Sequence, residues 1–522
     1  MILNEDQSIF NPYLVSASLT LVVLLFTWVY WNKRPPNSPP GSNGIPLLGA
    51  ILSLTSFPQI ALTKLGKKYG PIYMVYFGNT AVVVLETPEI AHEAFAKNDC
   101  FNDRPQTIPT LCSGKGLIMI NASDFQREQR QFNLHALREF GMGRKKLEGR
   151  LVDVSRQLCK TIDDLCGNSG TSKPFPINDM IYQSISSVIS YIIFNHDVTV
   201  DDKEFDVLLK EMTEPKKENV LSGILMFAPK LKYLPFFSTN WRKSEEFRDK
   251  LEEKIKGEVL SHQKSHDRNN PRDIIDCFLN EMNNFSSSKS SGQIDKSCDQ
   301  NDEMNRSYSW QPSSSFTIGQ LISSVRDLFM AGTETTASTI CWIILFLSHY
   351  QDVQEKMQKE IDEVLGQSGV PSMSITEKLP HVRAVLQEVS RLRPSAPLSL
   401  PHMASRDAIL NGYVIPKGAI ILTNIWGIQH DESRWPEPEK FLPERHLDND
   451  GKFNTSSNWM IFNVGLRNCL GQKLAKMELF IVTISLFQKF SFALPPGTTP
   501  DMEGESVVTL RPRHFDLIAT RR

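Results

Sequence analysis

Hydrophobic residues recur at helical spacing over most of the chain. The most regular stretch has apolar residues at i, i+3, i+4 and i+7 from Ile318 to about Leu347, which predicts one unusually long helix. A second apolar stripe lies between Pro380 and Pro394, and a third extends from Leu474 to Ile484. Alternation typical of strands is confined to an early hairpin within residues 74–85. The pattern predicts a mainly α-helical protein with a minor β part.

The N-terminal region contains an uncharged apolar run, Tyr13–Trp31. A helix over this run would be roughly 28 Å long, close to the thickness of a bilayer core. Acidic Glu5 and Asp6 precede it and basic Lys33 and Arg34 follow it, so the positive-inside rule places the following chain on the cytoplasmic side. A cleaved signal peptide is the alternative, but the run lacks a basic n-region and a small-residue cleavage site. We expect a retained single-pass anchor, because no other segment looks long and apolar enough to span.

Three parts follow from the composition along the chain. Residues 1–34 form the anchor, and the proline-rich residues 35–49 form a stiff, non-helical hinge. Residues 50–522 form one body. Within it, residues 283–315 are rich in Ser, Asn, Asp and Lys, which predicts a disordered surface insertion. A domain boundary at that segment is the alternative.

Charge and cysteine content exclude some classes of protein. The 522 residues carry a formal net charge of −2, which leaves no electrostatic footprint for general nucleic-acid binding. The 8 cysteines include no CxxC pair, so neither a disulfide framework nor a zinc pattern is predicted. This cysteine usage suits a reducing compartment.

The most informative cysteine is Cys469. Gly465 and Gly471 flank it, Arg467 lies two residues before it, and an amphipathic helix begins just beyond it. A helix N-terminus stabilises a thiolate through its dipole and its free amide groups. These are conditions for a permanent metal–thiolate bond; a buried structural cysteine is the alternative.

The string Phe462–Gly471 resembles the haem-binding motif F-x-x-G-x-R-x-C-x-G of the cytochrome P-450 superfamily at every fixed position. The resemblance implies that Cys469 is the axial thiolate ligand of the iron of haem b and that Arg467 pairs with a haem propionate. It also implies the cytochrome P-450 fold, an α-rich triangular prism with small β-sheets. Residues 50–522 would then be the haem-thiolate catalytic domain.

The long predicted helix carries a polar cluster, Ala331–Thr336. A solvent-facing patch is the ordinary interpretation, but the cluster resembles the oxygen-activation motif of the same family. The resemblance implies that Thr335 hydrogen-bonds water or dioxygen and that Glu334 relays protons. Ala331 and Gly332 would leave room above the haem for dioxygen and substrate.

Further residues are assigned through the same resemblance. Glu388 and Arg391 match the family's E-x-x-R pair, and with Arg445 they would form a buried structural triad; the next residue is His446 where the family usually has Phe. Arg130 matches a propionate-binding arginine, and Gln126 stands where a tryptophan is usual. His402 resembles another propionate-binding residue. The expected substrate pocket includes apolar residues from several segments: Ile108, Leu111, Phe329, Ala331, Leu398, Leu400 and Val508.

The resemblance is to the microsomal animal group that oxidises drugs, fatty acids and steroids. It implies a monooxygenase of the endoplasmic reticulum membrane that inserts one oxygen atom of O2 into a lipophilic substrate. Electrons would come from the NADPH–haemoprotein reductase, with cytochrome b5 as an optional second donor. The expected docking face is basic: Arg127, Arg138, Arg144, Lys145, Lys146, Lys473 and Lys476.

Two other functional classes stay open from the sequence. One is a haem-thiolate isomerase or dehydratase that acts on lipid peroxides without O2 or a reductase. The other is a non-catalytic haem sensor or lipid-binding protein.

Overall fold

The structure is a computed structural model that describes most of the chain. The described residues are 16, 18–23, 34–45, 49–51, 57–108, 114–140, 145–197, 203–213, 225, 232–291, 315–506 and 508–522. Those within the predicted anchor Tyr13–Trp31 are helical and exposed, and the rest of that run lies outside the described residues. The anchor therefore stays a prediction.

Helices make up most of the described chain, as the hydrophobic pattern predicted. Their bounds are α1 (Pro58–Tyr69), α2 (Pro88–His92), α3 (Asp124–Phe140), α4 (Lys145–Cys166), α5 (Asn178–Phe194), α6 (Lys203–Thr213), α7 (Pro235–Ser265), α8 (Ile274–Ser291), α9 (Ile318–His349), α10 (Gln351–Leu365), α11 (Pro380–Leu392), α12 (Ile425–Gln429) and α13 (Gln472–Lys489). The long helix, the Pro380 start and the helix after the cysteine loop are confirmed.

The strands form small sheets. Their bounds are β1 (Ile72–Phe77), β2 (Thr80–Leu85), β3 (Phe175–Pro176), β4 (His402–Met403), β5 (Ala408–Leu410), β6 (Tyr413–Ile415), β7 (Ile420–Thr423), β8 (Phe490–Ala493), β9 (Glu505–Ser506), β10 (Leu510–Arg511) and β11 (Asp516–Arg521). The largest sheet has the order β1-β2-β7-β4 and includes the predicted hairpin. In this sheet His402 pairs with Ile421 of β7, and β7 in turn pairs with β2 of the hairpin.

Helix α9 runs through the main hydrophobic core. The Thr317 hydroxyl caps its start by accepting the Gln320 N–H at 3.2 Å. Among the described residues it is the helix long and apolar enough to cross a membrane, which corrects the expectation that no second segment would qualify. Because 67% of its most apolar window is buried inside the protein, we assign it to the core.

The hinge is attached to the largest sheet. Arg34 donates to the carbonyl oxygens of Pro39 at 2.7 Å and Met74 at 2.9 Å, and the Met74 N–H donates to Pro40 O at 2.8 Å. Asn37 O accepts the N–H of Val414 at 2.8 Å. The described residues of the hinge, 35–45 and 49, are non-helical, as the prolines predicted, and the hinge is hydrogen-bonded to β1 and β6.

The predicted insertion begins later than the composition indicated. Helix α8 continues to Ser291, so the first part of 283–315 is helical. Residues 292–314 lie outside the described residues, and their predicted disorder stays a prediction.

Candidate active site

The loop before α13 presents Cys469 at a helix N-terminus. The Cys469 N–H donates to Phe462 O at 3.0 Å, and a single 3₁₀ turn covers Gly465–Arg467. Gly465 has φ +79°, and a Cβ there would lie 2.2 Å from Phe95 O, so this position requires glycine. Gly471 has φ −87°, and a Cβ there would meet no atom within 4 Å. A positive φ and a close backbone contact therefore require glycine at Gly465, and neither is present at Gly471.

The Cys469 side chain is exposed in its loop. It nevertheless has enough protein around it for burial to raise the pKa of its thiol, while the Gly471 N–H and the nearby Arg130 act in the opposite direction. The thiol therefore does not ionise readily without a partner. A metal ion would supply that partner, because metal binding displaces the thiol proton.

Three arginines come together beside this loop, and the sequence analysis named two of them. Arg467 donates to Ile118 O at 2.8 Å and Ile120 O at 2.9 Å, but its Nη1 is buried without a partner. Arg104 is 4% exposed and donates to Leu400 O and Pro401 O at 2.8 and 2.7 Å, but its Nε has no partner. We refer to Arg104, Arg130 and Arg467 as the arginine cluster.

The arginine cluster makes no ion pair with a carboxylate among the described residues. Arg130 instead donates to the Asn468 backbone and side-chain oxygens at 2.8 and 2.6 Å. Burial and, to a smaller extent, the charge of Arg130 lower the pKa of Arg467 to about 10, while Asp103 acts in the opposite direction. Burial and the other two arginines lower the pKa of Arg104 well below its usual value. Buried cations with unused donors are costly unless an anion joins them.

His402 points to the same place. Its Nδ1 donates to Phe101 O at 2.8 Å, its Nε2 is buried without a partner, and its ring lies on the Phe95 ring at 3.9 Å between centroids. Burial, Arg104 and Arg467 all lower the pKa of His402, so the ring is neutral. An anionic group bound here would offset those charges. The unused arginine donors fit a ligand that carries carboxylate groups, such as the propionates of haem.

Helix α9 carries the polar cluster predicted for oxygen activation. Ala331 is exposed although its helix is largely buried, and Thr335 is half-buried and donates to Ala331 O at 2.7 Å. Glu334 accepts a hydrogen bond from the Thr509 hydroxyl, so its carboxylate is directed towards the segment before β10. Gly332 does not face the same way as Ala331. A Cβ there would lie 2.7 Å from Ile189 of α5, so this glycine permits close packing of two helices.

Glu478 of α13 is a buried acid that the sequence analysis missed. It is 1% exposed, and one of its carboxylate oxygens has no partner. Burial raises its pKa to about 8, and a hydrogen bond with Thr336 acts in the opposite direction. Nothing in a one-dimensional pattern predicts this, because Glu478 lies on α13, whose apolar residues occur on every side. The prediction that the helix after Cys469 is amphipathic is therefore wrong.

Comparison with known proteins agrees with this geometry. The cytochrome P450 family model matches residues 39–519. Human cytochrome P450 2U1 is 33% identical over 89% of this chain and 81% of its own length, and human cytochrome P450 2J2 is 34% identical over 96% and 94%. Rat cytochrome P450 2J3 is 33% identical over 94% of this chain and 93% of its own length. The chain belongs to the cytochrome P450 family. Family membership supports a haem-dependent monooxygenase with a haem-thiolate cofactor.

In this cytochrome P450, the predicted structural triad lies together in the core. Arg391 donates to both carboxylate oxygens of Glu388 at 2.8 and 2.9 Å, and Arg445 Nε donates to it at 2.9 Å. The Leu442 N–H adds a donor at 3.1 Å. These hydrogen bonds hold the pKa of Glu388 at about 2 although burial alone would raise it. His446 is also bonded to Glu388, at 2.8 Å.

Most of the expected pocket residues of this cytochrome P450 share one apolar cluster. Ile108 and Leu398 are buried in it, and Leu400, Val508 and Met330 pack against it. Phe329 lies in the main core instead and makes an edge contact with Phe205 at 5.0 Å, so the structure does not bring it to the other four. Leu111 lies outside the described residues.

Two further predictions concern Gln126, the expected propionate contact, and the basic residues of the expected docking face. Gln126 is 6% exposed on α3, one turn before Arg130. Of the expected docking residues, Arg127, Arg138, Lys145, Lys146, Lys473 and Lys476 are exposed, and Arg144 lies outside the described residues.

Proposed function

We propose that this cytochrome P450 binds haem b through Cys469 and oxidises a lipophilic substrate with O2 and electrons from the NADPH–haemoprotein reductase. The observation that carries the proposal is the arginine cluster beside Cys469. Two buried guanidinium groups and a half-buried one, with no carboxylate partner among the described residues, suit a dianionic cofactor at that place. Haem with a thiolate ligand supplies the electron density that favours O–O cleavage.

The chain's own residues have distinct tasks in this proposal. Arg104, Arg130 and Arg467 bind the two carboxylates, and His402 Nε2 lies beside them. Cys469 would hold the iron through its thiolate sulfur. The Thr335 hydroxyl donates within its helix and keeps its lone pairs to accept a hydrogen bond. Glu334, one residue away, accepts a hydrogen bond from the Thr509 hydroxyl and would relay protons towards Thr335.

The substrate class follows from the apolar cluster near Ala331. Ile108, Leu398, Leu400 and Val508 come from three separate segments and offer aliphatic contacts only. Such a lining binds a lipophilic molecule and rejects small polar ones. We propose a xenobiotic, steroid or fatty acid substrate.

The partner and location are also proposals. Exposed Lys473 lies on α13 next to the cysteine loop, and Lys145 and Lys146 are exposed at the start of α4. A basic surface there suits an acidic electron-transfer partner, the reductase or cytochrome b5. The Tyr13–Trp31 run supports a single-pass anchor in the endoplasmic reticulum membrane with the catalytic domain on the cytoplasmic side.

The first test of the proposed function is spectroscopic. The reduced protein with CO is expected to give the red-shifted Soret band of thiolate ligation. Cys469→Ala should abolish the band, whereas Cys277→Ala, which removes a half-buried cysteine far from the loop, should keep it. A band at the imidazole-ligated position in the wild type would contradict the proposal.

Turnover separates the three functional classes. NADPH-dependent oxidation with purified reductase is expected for the monooxygenase. Product formation from a lipid hydroperoxide without NADPH would favour the isomerase or dehydratase. CO binding without turnover of any substrate in a library would favour a sensor.

A further inference from the structure

His446 lies in the position where the family's motif usually has Phe, and it is fully buried. It ends the 3₁₀ turn Pro443–His446, and its ring packs edge-on against Trp435 at 5.7 Å. Its Nε2 lies 2.8 Å from Glu388 Oε2, and its Nδ1 lies 3.0 Å from Gln387 Nε2. Both ring nitrogens therefore have partners, and both partners come from α11.

The two hydrogen bonds define the protonation state of the ring. Gln387 donates through its amide, so Nδ1 accepts and carries no proton. Glu388 only accepts because it is ionised, so Nε2 must carry the proton. His446 is therefore a neutral imidazole with one donor and one acceptor in use. Burial lowers its pKa, which agrees with this state, although the bond to Glu388 acts in the opposite direction.

Burial opposes protonation of the ring, the Glu388 carboxylate favours it, and the two neighbouring guanidinium groups oppose it. From α11 it faces the carboxylate of Glu388 and the guanidinium of Arg391, and from its own turn it faces Arg445. Two cations already share one anion here. A protonated His446 would add a third cation and would set an Nδ1–H donor against the donor amide of Gln387. Protonation therefore removes one hydrogen bond and adds repulsion in a buried cluster.

We refer to Glu388, Arg391 and Arg445 as the Glu388 cluster. Two consecutive hydrogen bonds connect it to the cysteine loop. Arg391 Nη1 donates to Gln429 O at 2.6 Å, and Gln429 Nε2 donates to Asn458 O at 2.7 Å. Asn458 begins the segment that leads to Phe462, whose carbonyl accepts the Cys469 N–H. A rearrangement of Arg391 would therefore remove the support of the segment before Cys469.

We propose that His446 is a fourth member of the Glu388 cluster and a positioning residue whose protonation loosens the cysteine loop. While it is neutral, it completes the set of donors around Glu388 and fixes Arg391 on Gln429. Once it is protonated, the cluster separates and the loop loses its support. The part of this proposal that concerns thiolate ligation rests on the proposed function.

The direction of the pKa shift of His446 defines the pH range in which its protonation lowers stability. The unfolded state binds a proton at His446 near the ordinary pKa of 6.5, whereas the folded state binds it only at a lower pH. Stability from this residue is therefore complete above 6.5 and declines as the pH falls below it. Within that window the unfolding equilibrium constant should rise by up to about tenfold per pH unit.

The test compares wild type, His446→Gln and His446→Phe as full-length haem-bound protein, with exposed His92→Gln as control. Two measurements are made between pH 8 and pH 5: urea unfolding followed by circular dichroism, and the fraction of the reduced CO complex with thiolate ligation. Glutamine keeps an N–H donor for Glu388 and cannot titrate. We expect the glutamine variant to be as stable as wild type at pH 8 and more stable than wild type at low pH. The unfolding constants of the two proteins should diverge by up to about tenfold per pH unit.

The phenylalanine variant should be the weaker protein at pH 8, because it removes the donor, and glutamine should rescue it. Parallel pH profiles of wild type and His446→Gln would overturn the proposal, as would a glutamine variant that cannot be recovered with haem at pH 8. If wild type shows no thiolate band even at pH 8, the proposed function fails, and the unfolding profiles still decide the role of His446.

Discussion

Two groups of arginines differ in how far the protein itself satisfies their hydrogen-bond donors. In the Glu388 cluster, Arg391 and Arg445 share a carboxylate, and their remaining donors reach backbone oxygens such as those of Gln429 and Pro436. In the arginine cluster, donors of Arg104 and Arg467 are left without partners, and each cation lowers the pKa of its neighbour. The Glu388 cluster has its hydrogen-bond partners within the chain. The arginine cluster needs an anion from outside the chain to use its remaining donors.

This difference separates a structural site from a binding site without any reference to motif. A buried charge that is fully hydrogen-bonded stabilises one arrangement of the chain, and removing its partner is costly. A buried charge with unused donors opposes folding until a ligand binds, so its cost is recovered as affinity. Substitutions in the two groups should therefore have different readouts.

The largest effect is expected in the Glu388 cluster. Glu388→Ala leaves two guanidinium groups and an imidazole without their shared acceptor, and should lower the free energy of unfolding by about 3–5 kcal/mol. Glu444→Gln, on the same turn as Arg445, removes an exposed ion pair with Lys356 and should cost about 0–1 kcal/mol. Urea unfolding of the haem-bound proteins measures both. Equal losses of unfolding free energy in the two variants would contradict the assignment of Glu388 as the buried acceptor that holds its cluster together.

The arginine cluster should respond in haem affinity. Arg467→Lys and Arg104→Lys keep the charge but lose the planar fork, and each should weaken haem retention by about 10- to 100-fold, the worth of one charged hydrogen bond. Arg393→Lys is the matched control. Within the part of the chain that the structure describes, Arg393 also makes no ion pair with a carboxylate, but it lies over the rings of Trp342 and Trp426. Haem transfer to a scavenger protein measures the loss. Unchanged transfer from the first two variants would assign their unused donors to something other than haem.

A smaller effect is expected in the loop that carries Cys469. Gly465→Ala forces a Cβ against Phe95 O and a side chain into the left-handed region, and should cost about 1–3 kcal/mol. Gly471→Ala meets no atom and has an ordinary φ, so the unfolding free energy should change by less than about 0.5 kcal/mol. Thermal unfolding of both variants checks this. A larger loss at Gly471 would show that this glycine makes room for the cofactor.

Local patterns predicted the elements well, because spacing along the chain is what they depend on. Helix α9 and the hairpin β1–β2 follow from apolar periodicity, and the glycines and arginine around Cys469 were visible within ten residues. Arg104 was missed because nothing near it in sequence indicates that it lies beside Arg467. Only the tertiary fold joins those two segments.

The same limit explains the residues whose direction differed from expectation. Sequence places Gly332 and Phe329 on α9, but not the neighbours that face them, and these proved to be Ile189 and Phe205. His446 was recognised as a departure from the motif, yet its bond to Glu388 depends on a turn packing against α11. Pairwise contacts between distant segments are not encoded in the periodicity of either one.

The attachment of the hinge has a consequence for engineering. The Arg34 guanidinium donates to a carbonyl of the first strand, so this residue, the last of the predicted anchor 1–34, is attached to the folded body. Chimaeras in which the residues up to Lys33 are exchanged should keep the hydrogen bond from Arg34 to Met74 O, whereas truncations that begin at Pro35 lose it. A purification tag is best joined upstream of that arginine.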